Sequence, residues 1–166
     1  MRKKIIDLGM HPYADTFINE DQLSLSEPVY PLECYLNKSN YMVSLGIKTN
    51  DDDRYNLYDY SYTSSNSEFS KKYWQSYFSD ISSSGLISAD SKILEIGSND
   101  GYLLSVFQQN GFDVLGFDSS KKMVDIANSK NVKTIHSLFT KASSIKLNSQ
   151  YDLIIANNVF NHSNDP

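Results

Sequence analysis

A short loop between residues 95 and 101 holds the side chains and glycines of this chain best placed to bind a ligand. Gly97 and Gly101 bracket the loop, a strand pattern at 92–96 precedes it, and an amphipathic stretch follows it. Without a Cβ atom, the two glycines let the loop backbone approach a bound molecule closely. Asp118 comes 21 residues after Gly97, at the end of the next apolar run. Strand, glycine loop, helix, strand and carboxylate together predict a site for an adenosine-type ligand, with Asp118 on the ribose hydroxyls.

The spacing within the loop separates two kinds of adenosine ligand. A dinucleotide site has glycine at three positions, G-x-G-x-x-G, but here the second is Asn99 and the third falls on Tyr102. The string Glu95-x-Gly97-x-x-x-Gly101 is instead similar to the S-adenosylmethionine loop of class I methyltransferases. An ordinary strand-to-helix turn is the simpler alternative, and a nicotinamide-dependent oxidoreductase is disfavoured by the Asn99 spacing.

The second half of the chain alternates between strand and helix patterns. Strands are predicted at 92–96, 113–117, 132–135 and 151–156, and helices at 101–110, 121–129 and 139–145. This alternation predicts an α/β fold with a parallel, doubly wound sheet. Gly97, Asp118 and Asn157 fall at carboxyl ends of the predicted strands, which is where such sheets bind ligands.

The first part of the chain shows much less pattern. Residues 1–67 are predicted to form a small irregular domain with one strand, at 42–47, and residues 68–166 to form the α/β domain. Residues 54–67 carry tyrosines and hydroxyls without a helical period, and a polar linker is the simplest interpretation of them. A helix is predicted at 68–83 from an apolar stripe that favours core packing over ligand binding. The stripe consists of Phe69, Tyr73, Trp74, Tyr77, Phe78 and Ile81.

Composition excludes several classes of function. The net charge of −5 argues against a nucleic-acid partner, and residues 157–160 (N-N-V-F) differ from the N-P-P-[YF] signature of nucleic-acid amino-methylation. The single cysteine, Cys34, can form neither an internal disulfide nor a thiolate zinc cluster. No apolar run has the roughly 18 residues of a membrane-spanning helix, and the basic N-terminus lacks the apolar segment of a signal peptide. No membrane partner and a cytoplasmic location are therefore expected.

With these residues in place, the chain resembles the S-adenosylmethionine-dependent C-methyltransferases of nucleotide-activated deoxysugars. Five strings carry the resemblance over nearly the whole chain, in the order of the family. They are residues 8–17 (L-G-M-H-P-Y-A-D-T-F), 30–32 (Y-P-L), 60–67 (Y-S-Y-T-S-S-N-S), 94–101 (L-E-I-G-S-N-D-G) and 157–162 (N-N-V-F-N-H). The resemblance implies a Rossmann-like class I methyltransferase domain behind a zinc-binding N-terminal domain. It also implies S-adenosylmethionine as cofactor and a nucleotide-linked keto-deoxysugar as substrate.

The resemblance further implies roles for individual residues. The predicted cofactor-binding residues are Glu95, Gly97, Ser98, Asn99, Asp100, Gly101, Asp118, Ser119, Asn157 and Asn158, with Ser119 beside the adenine. Tyr60 and Tyr62 are predicted to face the sugar, where a phenol can donate to an enolate oxygen. His162 is the histidine placed near the reacting carbon. The implied reaction removes the proton next to the keto group, and the enolate carbon then takes the methyl.

The chain departs from this family in two respects. The family holds zinc with two C-x-x-C pairs; the first would precede Leu8, and the second aligns with Asn37 and Asn40. Because carboxamides are poor zinc ligands, no zinc is expected. The chain also stops at Pro166, with four strands of the family's larger sheet and without its Y-x-E-H segment. A truncated chain that self-associates through strand 151–156 is expected, and a non-catalytic remnant that at most binds cofactor is the alternative to an active methyltransferase.

Overall fold

A computed structural model of the chain describes residues 1–56 and 59–163. The chain forms two compact units, Met1–Ser61 and Tyr62–Pro166. Residues 57 and 58 of the predicted linker, and residues 164–166 of the predicted α/β domain, lie outside the described residues. The domain division between residues 67 and 68 stays a prediction.

The first unit is built on antiparallel strands. Its elements are β1 (Arg2–His11), β2 (Thr16–Phe17), a 3-10 helix (Glu20–Gln22), β3 (Tyr30–Asn37), β4 (Val43–Leu45), α1 (Asp51–Tyr55) and β5 (Asp59–Tyr60). Three strands form a sheet in the order β1-β3-β4, and β2 pairs with β5 in a small second ladder.

This sheet corrects the expectation of an irregular region with a single strand. The predicted strand at 42–47 corresponds to β4, but β1 and β3 were hidden from pattern reading because no described residue of this unit is buried. A strand without a buried face has no alternation of apolar and polar residues. Main-chain pairing holds β1, and ion pairs from Lys4 Nζ to Asp7 (2.7 Å) and Glu33 (3.1 Å) add to it.

The two asparagines at the aligned zinc positions hold the turn between β3 and β4. Asn37 Oδ1 accepts a hydrogen bond from the backbone N–H of Ser39 (2.9 Å), and Asn40 Oδ1 accepts one from Met42 (3.1 Å). Carboxamides thus fix this turn by hydrogen bonds. No group of three or more His, Cys, Asp or Glu side chains among the described residues could hold a metal, and the absence of zinc stays a prediction.

The second unit is an α/β domain with a four-stranded parallel sheet. Its elements are α2 (Glu68–Ser83), β6 (Lys92–Ile96), α3 (Tyr102–Gln109), β7 (Asp113–Asp118), α4 (Lys121–Ser129), β8 (Thr134–His136), α5 (Lys141–Leu147), β9 (Leu153–Ile155) and a 3-10 helix (Phe160–His162). The strand order is β8-β7-β6-β9, and every neighbouring pair is parallel. The predicted Rossmann-like sheet of four parallel strands is confirmed, and each predicted strand and helix corresponds to an element here.

Apolar side chains cover both faces of this sheet. One face packs Ile93, Leu103, Leu104, Phe107, Val114, Ala127, Val132 and Ile155, and the other packs Leu94, Leu115 and Phe117. The strand β9 is one edge of the sheet, where Ile154 is 56% exposed. Self-association through this edge stays a prediction. No helix in the described part of the chain is long and apolar enough to cross a membrane.

The apolar stripe of α2 divides into two sets. Trp74, Tyr77, Phe78 and Ile81 pack against the core cluster around Phe107. Phe69 and Tyr73 remain 82% and 54% exposed, so the prediction of core packing is wrong for these two residues. They belong to the first turns of the helix, which begins at the Ser67 cap, and their exposure marks a surface that the core does not use.

Candidate active site

The glycine loop folds back against the neighbouring strand β7. The backbone N–H groups of Gly97 and Ser98 both donate to the carbonyl of Phe117, at 2.7 and 3.0 Å. Gly97, Asn99 and Gly101 all have positive φ, at +69°, +52° and +74°. A residue with a Cβ is strained in this conformation, and asparagine is one of the side chains that tolerate it best. The tight turn therefore favours glycine at positions 97 and 101, the two glycines of the sequence motif, and asparagine at position 99.

Close packing fixes the position of the loop. A Cβ on Gly97 would lie 2.5 Å from Val159 Cγ2, and one on Gly101 would lie 2.9 Å from Ala127 Cβ. Gly116 in β7 was not predicted as a site residue. A Cβ on it would meet Ser98 Oγ, and would lie 2.8 Å from Thr134 Oγ1. A glycine inside a strand pattern is the sequence signal that could have indicated this close approach.

Asp118 fastens the loop to the carboxyl end of β7. Its carboxylate is 9% exposed, and accepts hydrogen bonds from the backbone N–H groups of Asn99 and Ser120, both at 2.8 Å. Burial raises the pKa of Asp118, while these backbone hydrogen bonds act in the opposite direction. The neighbouring Ser119 presents its carbonyl to His136 Nε2 at 3.0 Å. The contact of Asp118 with the ribose hydroxyls stays a prediction.

Glu95 is a buried acid of the predicted site with an oxygen that lacks a hydrogen-bond partner among the described residues. It is 5% exposed, and the oxygen without a partner is Oε2. Burial raises the pKa of Glu95 well above its ordinary value, and the negative charges of Asp118 and Asp100 raise it further. The folded chain therefore favours the protonated carboxyl.

This raised pKa predicts how stability depends on pH. Above the ordinary pKa of about 4.5, the unfolded chain has lost the Glu95 proton and the folded chain retains it, so the unfolding free energy falls as pH rises. Glutamine has no proton to lose, so Glu95→Gln should not lose stability in this way as pH rises. Its unfolding free energy relative to the wild type should therefore be higher at pH 8 than at pH 5, by about 1 kcal/mol or more. Urea denaturation at both pH values measures it. Glu68→Gln, at an exposed carboxylate, is the control, and equal effects of Glu95→Gln at both pH values would contradict the expectation.

Asn99 joins the loop to the segment that precedes α2. Its Oδ1 accepts a hydrogen bond from the backbone N–H of Ser64 (2.8 Å), and its Nδ2 donates to the carbonyl of Tyr62 (3.1 Å). The carboxamide therefore uses both ends to hold one short stretch of backbone. Sequence reasoning placed Tyr62 near the acceptor and Asn99 near the cofactor, but it did not connect the two.

Asp100 makes a second connection to the same segment. It is 1% exposed, and its two oxygens accept hydrogen bonds from the hydroxyls of Ser64 and Ser65. Lys130 Nζ lies 3.1 Å from Oδ2. Burial alone would raise the pKa of Asp100, but the hydrogen bonds from the two serines and Lys130 together hold it below its ordinary value. The side chain of Asp100 is thus engaged with the protein, and its predicted cofactor role stays a prediction.

An open cleft of about 470 Å³ lies beside this segment, and its volume is typical of a small-molecule site. The residues that line it are Tyr62, Phe69, Ser70, Tyr73, Trp74, Asn157 and Asn158. None of these described lining residues is charged. The exposed aromatic rings of α2 and the carboxamides that follow β9 therefore meet in one uncharged cavity.

Two further predicted residues, His162 and Tyr60, are not among the residues that line this cleft, whereas Asn157 is. His162 is exposed at the end of the 3-10 helix, with Nε2 3.3 Å from Asn161 Nδ2. Tyr60 belongs to β5 of the first unit, where its ring packs edge-on against Tyr55 at 5.3 Å. The roles of both residues stay predictions. Asn157 accepts a hydrogen bond from the Tyr77 hydroxyl (3.4 Å), and its buried Nδ2 has no partner among the described residues.

The polar atoms of this region fit a polar ligand. The buried atoms Glu95 Oε2, Ser98 Oγ and Asn157 Nδ2 have no hydrogen-bond partner within the described part of the chain. Glu95 lies in β6, Ser98 lies in the loop after it, and Asn157 follows β9, the strand that pairs with β6. Buried polar groups are normally paired, so three unpaired ones at the carboxyl edge of the sheet indicate a ligand with donors and acceptors.

Part of this chain matches a known protein family and, at lower similarity, several solved structures. The family described as "Methyltransferase domain" matches residues 67–166. No curated protein sequence matches the chain. Several solved structures are similar to the chain in part. The plantazolicin methyltransferase BpumL in complex with SAH (S-adenosylhomocysteine) is 24% identical with a TM-score of 0.38, and the match covers 50% of this chain and 33% of that one.

Two other structures are more distant. A SAM-dependent methyltransferase from Archaeoglobus fulgidus is 14% identical with a TM-score of 0.37, covering 46% of this chain and 33% of that chain. TehB from Haemophilus influenzae is 13% identical with a TM-score of 0.37, covering 93% and 55%. The matched part of this chain spans about a third of the length of the first of these structures. On the family match over residues 67–166, the chain belongs to the methyltransferase-domain family, whose cofactor is S-adenosylmethionine.

Proposed function

We propose that this chain transfers a methyl group from S-adenosylmethionine, bound at the glycine loop, to an acceptor in the aromatic cleft. We further propose that the acceptor is a nucleotide-linked keto-deoxysugar that is methylated on carbon. The observation that carries the proposal is the connection between loop and cleft. Tyr62 lines the cleft, and its carbonyl accepts a hydrogen bond from the Asn99 side chain of the loop.

On the cofactor side, the residues of the chain bind and orient. Bound S-adenosylmethionine would supply an electrophilic methyl on a sulfonium. The Asp118 carboxylate would accept hydrogen bonds from the ribose hydroxyls, and Ser119 would lie by the adenine. Glu95, Ser98 and Asn157 would supply the polar atoms that now lack partners. Gly97 and Gly101 would let the ligand approach the backbone.

On the acceptor side, the cleft can position an uncharged ring and polarise a carbonyl. The Tyr62 phenol is half exposed and can donate a hydrogen bond to an enolate oxygen. A base would take the proton from the carbon next to the keto group, and that carbon would then accept the methyl that bound S-adenosylmethionine supplies, with S-adenosylhomocysteine as the leaving group. Tyr73, which lines the cleft, is one candidate for this base, and His162, which only the family resemblance implies near the reacting carbon, is the other.

The uncharged lining of the cleft supports a second candidate function. A general base of carboxylate or imidazole type is absent from its described lining residues. A chain that binds cofactor without turnover would have this feature.

The sugar class itself is supported by the resemblance of residues 8–17, 30–32, 60–67 and 157–162 to the deoxysugar C-methyltransferases.

Calorimetry and a methyl-transfer assay test the proposal on the same sample. S-adenosylhomocysteine should bind, and NAD should bind more weakly or not at all. Methyl from labelled S-adenosylmethionine should appear on a nucleoside-diphosphate keto-deoxysugar, and Tyr62→Phe should lower kcat at least about tenfold. Tyr41→Phe, an exposed tyrosine of the first unit, is the control. Tighter binding of NAD would refute the cofactor assignment, and cofactor binding without any transfer would favour the non-catalytic candidate.

A further inference from the structure

The segment from Tyr62 to Ser65 is attached to the glycine loop more firmly than a linker needs to be. Asn99 holds its backbone at two points, through the Tyr62 carbonyl and the Ser64 N–H. Asp100 holds its side chains at two more, through the hydroxyls of Ser64 and Ser65. The segment therefore cannot shift relative to the loop unless several hydrogen bonds break together.

The Asp100 contact is built from a buried charge. A carboxylate that is 1% exposed is tolerated only where donors satisfy both of its oxygens. Lys130 supplies the opposite charge at 3.1 Å, and the adjacent serines each donate to a different oxygen. The two-point arrangement fixes the direction of the segment as well as its distance from the loop. Loss of the serine donors would leave a buried carboxylate partly unpaired, which costs more than an exposed hydrogen bond would.

The same asparagine also faces the predicted cofactor side. The backbone N–H of Asn99 donates to Asp118 Oδ2 at 2.8 Å, while its side chain holds Tyr62 and Ser64. One residue thus lies between the carboxylate expected on the ribose and the tyrosine that lines the cleft. A ligand that orders the loop must also order the segment, and the effect is reciprocal.

We propose that Asn99 and Asp100 are positioning residues that couple the glycine loop to the aromatic cleft, so that cofactor binding fixes Tyr62 for the acceptor. This inference rests on the proposed function, because it takes S-adenosylmethionine as the ligand of the loop. It adds that bound cofactor orders the acceptor site, and that bound acceptor in turn raises the affinity for the cofactor. Asn99 and Asp100 act through the Tyr62–Ser65 segment, without contact to the reacting carbon.

The chain carries its own reporter of this coupling. Trp74 is the only tryptophan, it lines the cleft, and its Nε1 donates to the Ser64 carbonyl at 3.0 Å. Titration with S-adenosylhomocysteine should change the Trp74 emission, with the same Kd as calorimetry gives. Asp100→Asn should weaken binding about tenfold and abolish most of the emission change. Asp125→Asn is the matched control, because Asp125 forms an exposed pair with Lys121 and should leave both measurements unchanged.

If Asp100→Asn fails to fold, two variants of Ser65 distinguish a positioning role from a role in folding. Ser65→Ala removes one donor and should reduce the emission change, Ser65→Thr keeps the hydroxyl and should restore it, and Ser79→Ala on the exposed face of α2 is the control. Binding by the wild-type chain without any change in Trp74 emission would overturn the coupling and leave the proposed function standing. The coupling would also be overturned if Ser65→Ala and Asp100→Asn bound S-adenosylhomocysteine with the wild-type Kd and with the full wild-type change in Trp74 emission. Failure of the wild-type chain to bind S-adenosylhomocysteine at all would overturn both.

Discussion

Gly101→Ala should lower the unfolding free energy of the chain by about 2–5 kcal/mol. The residue has a φ of +74°, where an alanine is strained by about 1–2 kcal/mol. The new Cβ would also lie 2.9 Å from Ala127 Cβ and 3.1 Å from Val132 Cγ1, both of them buried, and overpacking of this kind costs a further 1–3 kcal/mol or so. Urea denaturation followed by circular dichroism measures the loss.

Gly111→Ala separates the two contributions. Gly111 also has a positive φ, +92°, but nothing lies within 4 Å of a Cβ built on it. It should therefore show only the backbone strain, about 1–2 kcal/mol. Equal losses at Gly101 and Gly111 would mean that the packing of the loop against Ala127 and Val132 adds nothing to stability.

The α/β unit was predictable because its elements have buried faces. In β6 and β7, apolar residues such as Ile93, Leu94, Val114 and Leu115 are buried on both sides of the sheet, and continuous apolar runs of this kind mark parallel strands. The ends of α4 carry residues that are typical of helix ends. Ser120 caps α4 by accepting from the N–H of Met123, and Asn131 takes the left-handed conformation after the helix.

The first unit was less readable for the opposite reason. Every residue of β1 is exposed, and its sequence begins with Arg2, Lys3 and Lys4. Main-chain pairing with β3 holds it in place, and main-chain pairing leaves little trace in the order of side chains. The predicted strand at 42–47 corresponds to β4, in which Val43 and Leu45 alternate with Ser44 although both apolar residues are exposed.

The candidate site was predictable where spacing alone determines it. Gly97 follows β6 and Asp118 ends the adjacent strand β7, so their meeting at one edge follows from topology. The contacts of Asp100 with Ser64 and Ser65 span 36 and 35 positions in the chain, and no local pattern encodes such a distance. Prediction of these contacts needs the fold itself.

The aromatic stripe of α2 shows a further limit of pattern reading. Helical spacing places Phe69 and Trp74 in one apolar set, but the structure packs Trp74 against the core and leaves Phe69 82% exposed beside the cleft. Periodicity reports that a face is apolar, and it does not report what covers that face. A face that packs against the core and a face that lines a ligand site look the same in sequence.

Asp118→Ala should weaken the binding of S-adenosylhomocysteine by about 2–3 kcal/mol, or roughly 30- to 150-fold in Kd. The carboxylate would accept charge-assisted hydrogen bonds from two ribose hydroxyls, and it already holds the N–H groups of Asn99 and Ser120 at 2.8 Å. Alanine removes the ligand contact and also releases the glycine loop. Calorimetric titration of the wild-type and variant chains measures the difference.

Two further variants assign this loss to the ribose contact. Asp118→Asn keeps the shape of the side chain but provides only one acceptor oxygen, so its Kd should fall between those of the wild type and Asp118→Ala. Asp113→Ala removes an exposed carboxylate at the other end of the same strand, β7, and should leave the Kd unchanged. Equal weakening by Asp113→Ala and Asp118→Ala would indicate a general effect of charge or stability on binding. An unchanged Kd in Asp118→Ala would mean that the ribose lies elsewhere, because a buried carboxylate at the end of β7 cannot contact the hydroxyls without contributing to affinity.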